Sequence, residues 1–201
     1  MYRKGIIYDE IKKVIISIYL DYDFKIFPID PHEVCRKMGV AVIPYSCFGR
    51  EQRRLLKKQS EYGFFVPATS KNVATIYYND FYGSLGAQLL TILHELKHYI
   101  YEDADDLDDD LADFFARYFM CPIPYLLLKN IDTPNEVVSF CGVSYEAACN
   151  VCANLVNRKK KYGYRLFDYE IPLIEHLEPV LLEVYQKEGD AYDLRREENV
   201  I

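Results

Sequence analysis

The sequence predicts an α+β domain in which helices flank a small three-stranded, mostly antiparallel sheet, followed by a C-terminal helical extension. Apolar residues recur at helical spacing in several segments, which indicates helices that are buried on one side. Three short apolar segments between polar turns indicate strands. The links between them look too short for helical crossovers, which favours antiparallel pairing. We expect a core over residues 1–125 and an extension over residues 126–201 that packs on this core.

The first half of the chain supplies two helices and the three strands. A first helix is predicted from Asp9 to Leu20, and a second from Pro31 to Gly39 with Asp30 as its N-cap. Residues 49–60 are polar and are expected to form an exposed loop or a short helix. The predicted strands are residues 40–45, 63–67 and 73–78.

The second half of the chain is predicted to be helical. Apolar residues from Ser84 to Ile100 recur on one face, as in a helix packed against a core. An acidic run follows at residues 102–110, and a further helix extends from about Asp109 to Met120. Pro122 ends this helix, because proline cannot continue the hydrogen-bond pattern. Two or three more helices are expected beyond residue 135.

The composition is that of an ordinary globular protein. Among 201 residues, 50% are hydrophobic and 27% are charged, which excludes a disordered or fibrous chain. The formal net charge of −7 disfavours nucleic acid as a direct partner, because the phosphate backbone repels an acidic surface. No segment approaches the roughly 18–20 consecutive apolar residues of a membrane span, so no membrane partner is expected. Six cysteines without an export signal indicate reduced thiols and a cytoplasmic location.

The strongest motif is His-Glu-x-x-His at residues 94–98, inside the helical pattern. Residues four apart lie on one helical face about 5–6 Å from each other, so the imidazoles of His94 and His98 can bind one metal ion. Glu95 lies one position round from His94 and can reach a water on that ion without being a ligand. This spacing is typical of zinc hydrolases. We therefore expect a Zn²⁺ cofactor, two histidine ligands and a catalytic glutamate.

A catalytic zinc site needs a third protein ligand and an open position for water. The acidic run supplies candidates just beyond the predicted helix, where the chain must turn back. Asp109 is the preferred third ligand, since Asp113 lies one turn further on the same face and could accept the second ring N–H of a ligand histidine. Asp110 is the alternative third ligand, and Asp105 and Asp106 remain open.

Several stretches are similar to the ImmA/IrrE family of bacterial metallopeptidases, which occur in mobile elements and stress-response loci. The most specific stretch, residues 112–122, resembles the family's Ala-Asn/Asp-x-Phe-Ala-x-x-Leu-Leu-Met-Pro signature. The resemblance covers residues 9–155 and implies that the acidic residue three before Ala112, which is Asp109, is the third zinc ligand. The other similar stretches are residues 28–30, 38–42, 76–79 and 141–148.

The resemblance implies a metallopeptidase of the anti-repressor type, with a metallopeptidase-like core over residues 1–125. Such a protein cleaves a helix-turn-helix repressor of the Xre type and so relieves transcriptional repression, which makes a protein repressor the expected partner. The alternative is a non-catalytic repressor-binding or antitoxin-like module on the same fold. Two departures favour it, because Asp109 stands where the family carries Glu and the chain from His98 to Asp109 is short.

Two other segments carry weaker signals. Residues 50–58 contain five basic side chains and are predicted to be a solvated surface, with a docking surface for an acidic partner as the alternative. Residues 135–155, with Gly-Val-Ser near the middle, have the outline of a helix-turn-helix. The nearby basic residues, 158–161, follow its second helix, and the chain is acidic, so DNA binding is disfavoured. We expect this region to pack as a helical lid near the active site.

Overall fold

The computed structural model describes residues 2–101 and 109–187, with side chains from residue 7 onward in these ranges. It confirms the α+β class, with many helices around one small sheet. Asp105 and Asp106, two of the candidate metal ligands, lie outside the described residues. No described helix is both long and apolar enough to cross a membrane.

The helices agree with the apolar periodicity, although the first begins earlier than expected. At the predicted N-cap of the second helix, the Asp30 carboxylate accepts the N–H of His32 at 2.9 Å. The polar segment after the first strand forms a regular helix. The helices are α1 Tyr2–Asp21, α2 Pro31–Lys37, α3 Arg50–Gln59, α4 Leu85–Tyr101, α5 Asp109–Met120, α6 Ile123–Leu128, α7 Pro134–Cys141, α8 Tyr145–Tyr162 and α9 Ile171–Leu177, with a 3₁₀ turn at Tyr45–Cys47 and helical residues 179–187.

The sheet has three strands, β1 Ala41–Pro44, β2 Gly63–Val66 and β3 Thr75–Tyr78, in the order β1-β3-β2. β2 and β3 pair antiparallel, whereas β1 and β3 pair parallel, with Ala41 opposite Thr75. The prediction of a mostly antiparallel sheet is therefore wrong, and the sheet is mixed. The reason is that α3 connects β1 to β2, so these two strands do not have to be neighbours in the sheet. β3 then takes the position between them.

A continuous hydrophobic core holds the sheet and helices together. Its fully buried members come from α1, α4 and α5 as well as from α7 and α8. The hydroxyl of Tyr19 on α1 donates a 2.6 Å hydrogen bond to the carbonyl of Phe119 on α5, so a buried polar group is satisfied between two packed helices. The division of the chain at residue 125 stays a prediction.

The turn between α7 and α8 is built on a left-handed glycine. Gly142 has φ of +70°, a conformation that residues with a side chain rarely adopt. Ser144 then caps α8, because its side chain accepts the N–H of Ala147. This turn rests directly on α4 at Gly86, where a Cβ atom would lie only 2.6 Å from the backbone nitrogen of Ser144. The first turn of α8 is thereby held beside α4.

Candidate metal centre

Helix α4 carries the two candidate histidine ligands on one face. Its opposite face is fixed in the core by side chains such as Leu93 and Leu96, which have no exposed surface. His94 and His98 are one helical turn apart, and their ring centroids are separated by 5.4 Å. The two histidines therefore share one face of the helix, as the spacing in the sequence predicts, and both are partly buried and line a cleft.

Helix α5 packs against α4 and places two aspartates beside His94. The Nδ1 atom of His94 lies 2.9 Å from an Asp113 carboxylate oxygen, and its Nε2 atom lies 3.7 Å from an Asp109 carboxylate oxygen. The carboxylate of Asp113 accepts a hydrogen from Nδ1, so Nε2, the nitrogen near Asp109, is the one that can bind a metal when the ring is neutral. Asp113 therefore occupies the orienting position that the sequence predicts for it.

His94, His98 and Asp109 form a group that could hold a metal ion. Each offers one ligand atom, and these atoms all lie within 4.8 Å of one another. Ligands at about 2.1 Å from a tetrahedral metal lie about 3.4 Å apart, so small side-chain adjustments bring these three into range. Two imidazole nitrogens and one carboxylate oxygen are a donor set that suits a catalytic metal, because they leave a position open.

Glu95 lines the same cleft as the three candidate ligands. Glu95 is 9% exposed, and the backbone N–H of Phe65 on β2 lies close enough to its carboxylate to favour the charged form. Burial raises the pKa of Glu95 above its ordinary value, although the adjacent histidines and the Phe65 N–H oppose this effect. A carboxylate whose proton affinity is raised is better suited to accept a proton near neutral pH.

The protonation of His94 and Asp113 is coupled by their hydrogen bond. Burial by itself would lower the pKa of His94, but the bond to Asp113 and the charges of Glu95 and Asp109 outweigh burial and raise it. The same bond lowers the pKa of Asp113, and Arg117 contributes to this shift. Asp113 is therefore a carboxylate that holds the His94 ring in one orientation.

The candidate ligands line a cleft with a volume of about 1280 Å³. The edge strand β2 forms one wall, and the first turns of α8 contribute to the other side. β2 approaches α4 closely at Gly63, where a Cβ atom would lie 2.9 Å from the Thr91 side chain. The polar side chains of α8 and the loops that face the cleft are Ser60, Tyr62, Tyr82, Ser144, Glu146 and Asn150.

The structure separates the alternative ligands from the preferred one. Asp110 follows Asp109 on α5 but does not belong to the group that could hold a metal. Sequence reasoning missed the contribution of the Phe65 backbone, because a main-chain N–H has no residue signature. The closeness of α8 to the site had one signal in the sequence, which is Gly86 within an otherwise regular helix.

Comparisons with known proteins add no family to this description. The chain matches no protein-family model, and it matches neither a curated protein nor a solved structure. The chemistry of the site therefore follows from its geometry.

Proposed function

We propose that this protein is a zinc-dependent endopeptidase of the ImmA/IrrE type, which cleaves a helix-turn-helix repressor and so relieves repression. The observation that supports the proposal is the pair of contacts on His94. Its Nδ1 atom is hydrogen-bonded to a carboxylate oxygen of Asp113 at 2.9 Å, and its Nε2 atom lies 3.7 Å from a carboxylate oxygen of Asp109. A ring nitrogen of His98 lies within 4.8 Å of the same group. A histidine oriented in this way is ready to bind a metal.

Three side chains would hold the ion, and one would move protons. His94, His98 and Asp109 would bind Zn²⁺, which when bound supplies Lewis acidity and lowers the pKa of a water to about 7. Glu95 would accept a proton from water in the cleft and return it to the leaving amine. The nearby Phe65 N–H favours the charged form of this carboxylate, which is the form that accepts the proton.

The shape of the cleft favours a polypeptide substrate. β2 is an edge strand of the described sheet, and its residues form one cleft wall along which a substrate would lie. An extended peptide can hydrogen-bond to such an edge with its main chain, whatever its sequence.

The test is the variant Glu95→Gln, incubated with a purified helix-turn-helix repressor of the Xre type. We expect the parent to release a discrete fragment, and a chelator to abolish the cleavage. The variant should bind zinc normally but cleave about 10²–10⁴-fold more slowly, because it cannot accept the proton. Glu146→Gln is the matched control, since Glu146 is an exposed cleft residue outside the metal group. Cleavage by Glu95→Gln at the parental rate would refute the mechanism.

A non-catalytic repressor-binding module is the second candidate. One observation favours it, which is that the Asp109 side chain is 68% exposed and is therefore little constrained by packing. A ligand held loosely binds metal weakly, because part of the binding energy is lost in ordering the side chain. Zinc analysis of protein purified without chelator distinguishes the candidates. Near-stoichiometric zinc favours the enzyme, whereas a chain that takes up no added zinc favours the module.

A further inference from the structure

Helix α3 presents a continuous basic surface. Its five basic residues recur at spacings of three and four, so they lie on one face of the helix. No residue of α3 is buried, and the helix has a net charge of +4 because Glu51 is its single acidic residue. We refer to these five residues as the basic face of α3. They are Arg50, Arg53, Arg54, Lys57 and Lys58.

The charges of the basic face are not neutralised by the described part of the chain. None of its five side chains forms an ion pair with a carboxylate of residues 2–101 or 109–187. The whole chain has a net charge of −7, so the residues outside α3 carry −11. The exposed helix α3 thus carries an excess of positive charge on an acidic protein, which favours an acidic partner at that place.

An exposed aromatic ring lies against the basic face. Phe81 is 55% exposed, and it lines a shallow depression together with Glu51 and the five basic side chains of α3. The guanidinium of Arg53 is 5.2 Å from the centroid of its ring, and the ammonium of Lys57 is 5.5 Å from it. These cation–π contacts hold two cations in place before a partner arrives, which lowers the entropy cost of binding.

The basic face adjoins the cleft that holds the candidate metal group. Gln59, the last residue of α3, lines the cleft, and so does Tyr82, which follows Phe81. We propose that the basic face and Phe81 form a docking site for an acidic segment of the polypeptide substrate, with an apolar side chain on the ring. This inference rests on the proposed function, because it assumes that the partner is a polypeptide that also enters the cleft.

The observations favour a peptide over nucleic acid. A ten-residue helix is about 15 Å long, which an extended peptide covers with four or five residues. A duplex would extend past α3, and the rest of the chain has a net charge of −11, which disfavours the binding of phosphates beyond this helix. A short acidic segment can contact the basic face alone, and it meets no such repulsion.

The test measures the binding of a short fluorescein-labelled peptide, rich in Asp and Glu with one central Leu, by fluorescence anisotropy at low salt. We expect the parent to bind it, and to bind at least tenfold more weakly a peptide with Asn and Gln in place of the acidic residues. Lys57→Glu/Lys58→Glu should weaken binding of the acidic peptide at least tenfold. The matched control is Lys160→Glu/Lys161→Glu, which makes the same change of charge at exposed positions of α8 and should bind as the parent does.

Four results would overturn the docking site. They are no binding by the parent, equal losses in both double variants, tighter binding of a DNA duplex than of the acidic peptide, and self-association of the parent through α3 that the peptide cannot displace. The variant Glu95→Gln should bind the peptide as the parent does, because Glu95 lies in the cleft. A failed docking site therefore shows in anisotropy, whereas a failed peptidase shows only in the cleavage assay.

Discussion

The identity of the third metal ligand is the prediction that the structure sharpens most. Asp109 and Asp110 are neighbours in the first turn of α5, are both exposed and carry the same charge. Of these two aspartates, Asp109 alone has an oxygen within 4.8 Å of the ligand atoms of His94 and His98. Asp109→Asn should therefore weaken zinc binding strongly, whereas Asp110→Asn should leave it within about threefold of the parent.

The size of the effect follows from the binding energy per ligand. Zinc sites with four protein ligands have apparent binding energies of about 10–16 kcal/mol, or about 2.5–4 kcal/mol for each ligand. The Asp109 side chain is 68% exposed, so its contribution belongs at the lower end. A loss of about 2.7 kcal/mol corresponds to about a hundredfold weaker affinity. This is large enough to separate a ligand from a neighbouring charge.

The assay is competition for Zn²⁺ against a chromophoric chelator of known affinity, with circular dichroism to show that each variant is folded. The comparison is between the two variants, because both remove one negative charge from the same helical turn. Equal losses would mean that only charge matters at this position. A larger loss in Asp110→Asn would show that the described arrangement of the ligands is wrong.

Two further variants test the hydrogen bonds around the site and in the core. Asp113→Asn should weaken zinc affinity about tenfold, because a neutral amide accepts the Nδ1 hydrogen of His94 more weakly than the carboxylate does at 2.9 Å. Unchanged affinity in the same competition assay would contradict this role. Tyr19→Phe should lower the free energy of unfolding by about 1–2 kcal/mol, because it leaves a buried carbonyl of α5 unpaired. Urea denaturation checks the second value, and a change below about 0.3 kcal/mol would mean that water replaces the hydroxyl.

The parts of the molecule that depend on local spacing could be predicted from the sequence. The helical period places His94 and His98 on one face, and it places Asp109 and Asp113 one turn apart on the next helix. These two four-residue spacings therefore specify most of the candidate site once α4 and α5 pack together. The structure adds the atoms involved, with Nδ1 of His94 bonded to Asp113 and Nε2 facing Asp109.

The parts that depend on non-local pairing could not be predicted. β1 and β2 are separated along the chain by α3, and no local pattern indicates that β3 inserts between them. The N–H of Phe65 reaches Glu95 only because β2 is an edge strand beside α4. Backbone groups have the same chemistry at every residue, so a contact of this kind becomes visible only with the complete fold.

The width of the cleft depends on two glycines, Gly63 and Gly86, which have no Cβ atom. The cleft wall formed by β2 contacts α4 at Gly63. The opposite wall, at the start of α8, contacts α4 at Gly86, about two helical turns before His94. A methyl group at Gly86 would lie 2.6 Å from the backbone nitrogen of Ser144, so the start of α8 would have to move away by about 0.8 Å to reach ordinary contact distance. Alanine at Gly86 is therefore expected to move the start of α8 away from α4 and to widen the cleft, while the side chains of the candidate metal group stay unchanged.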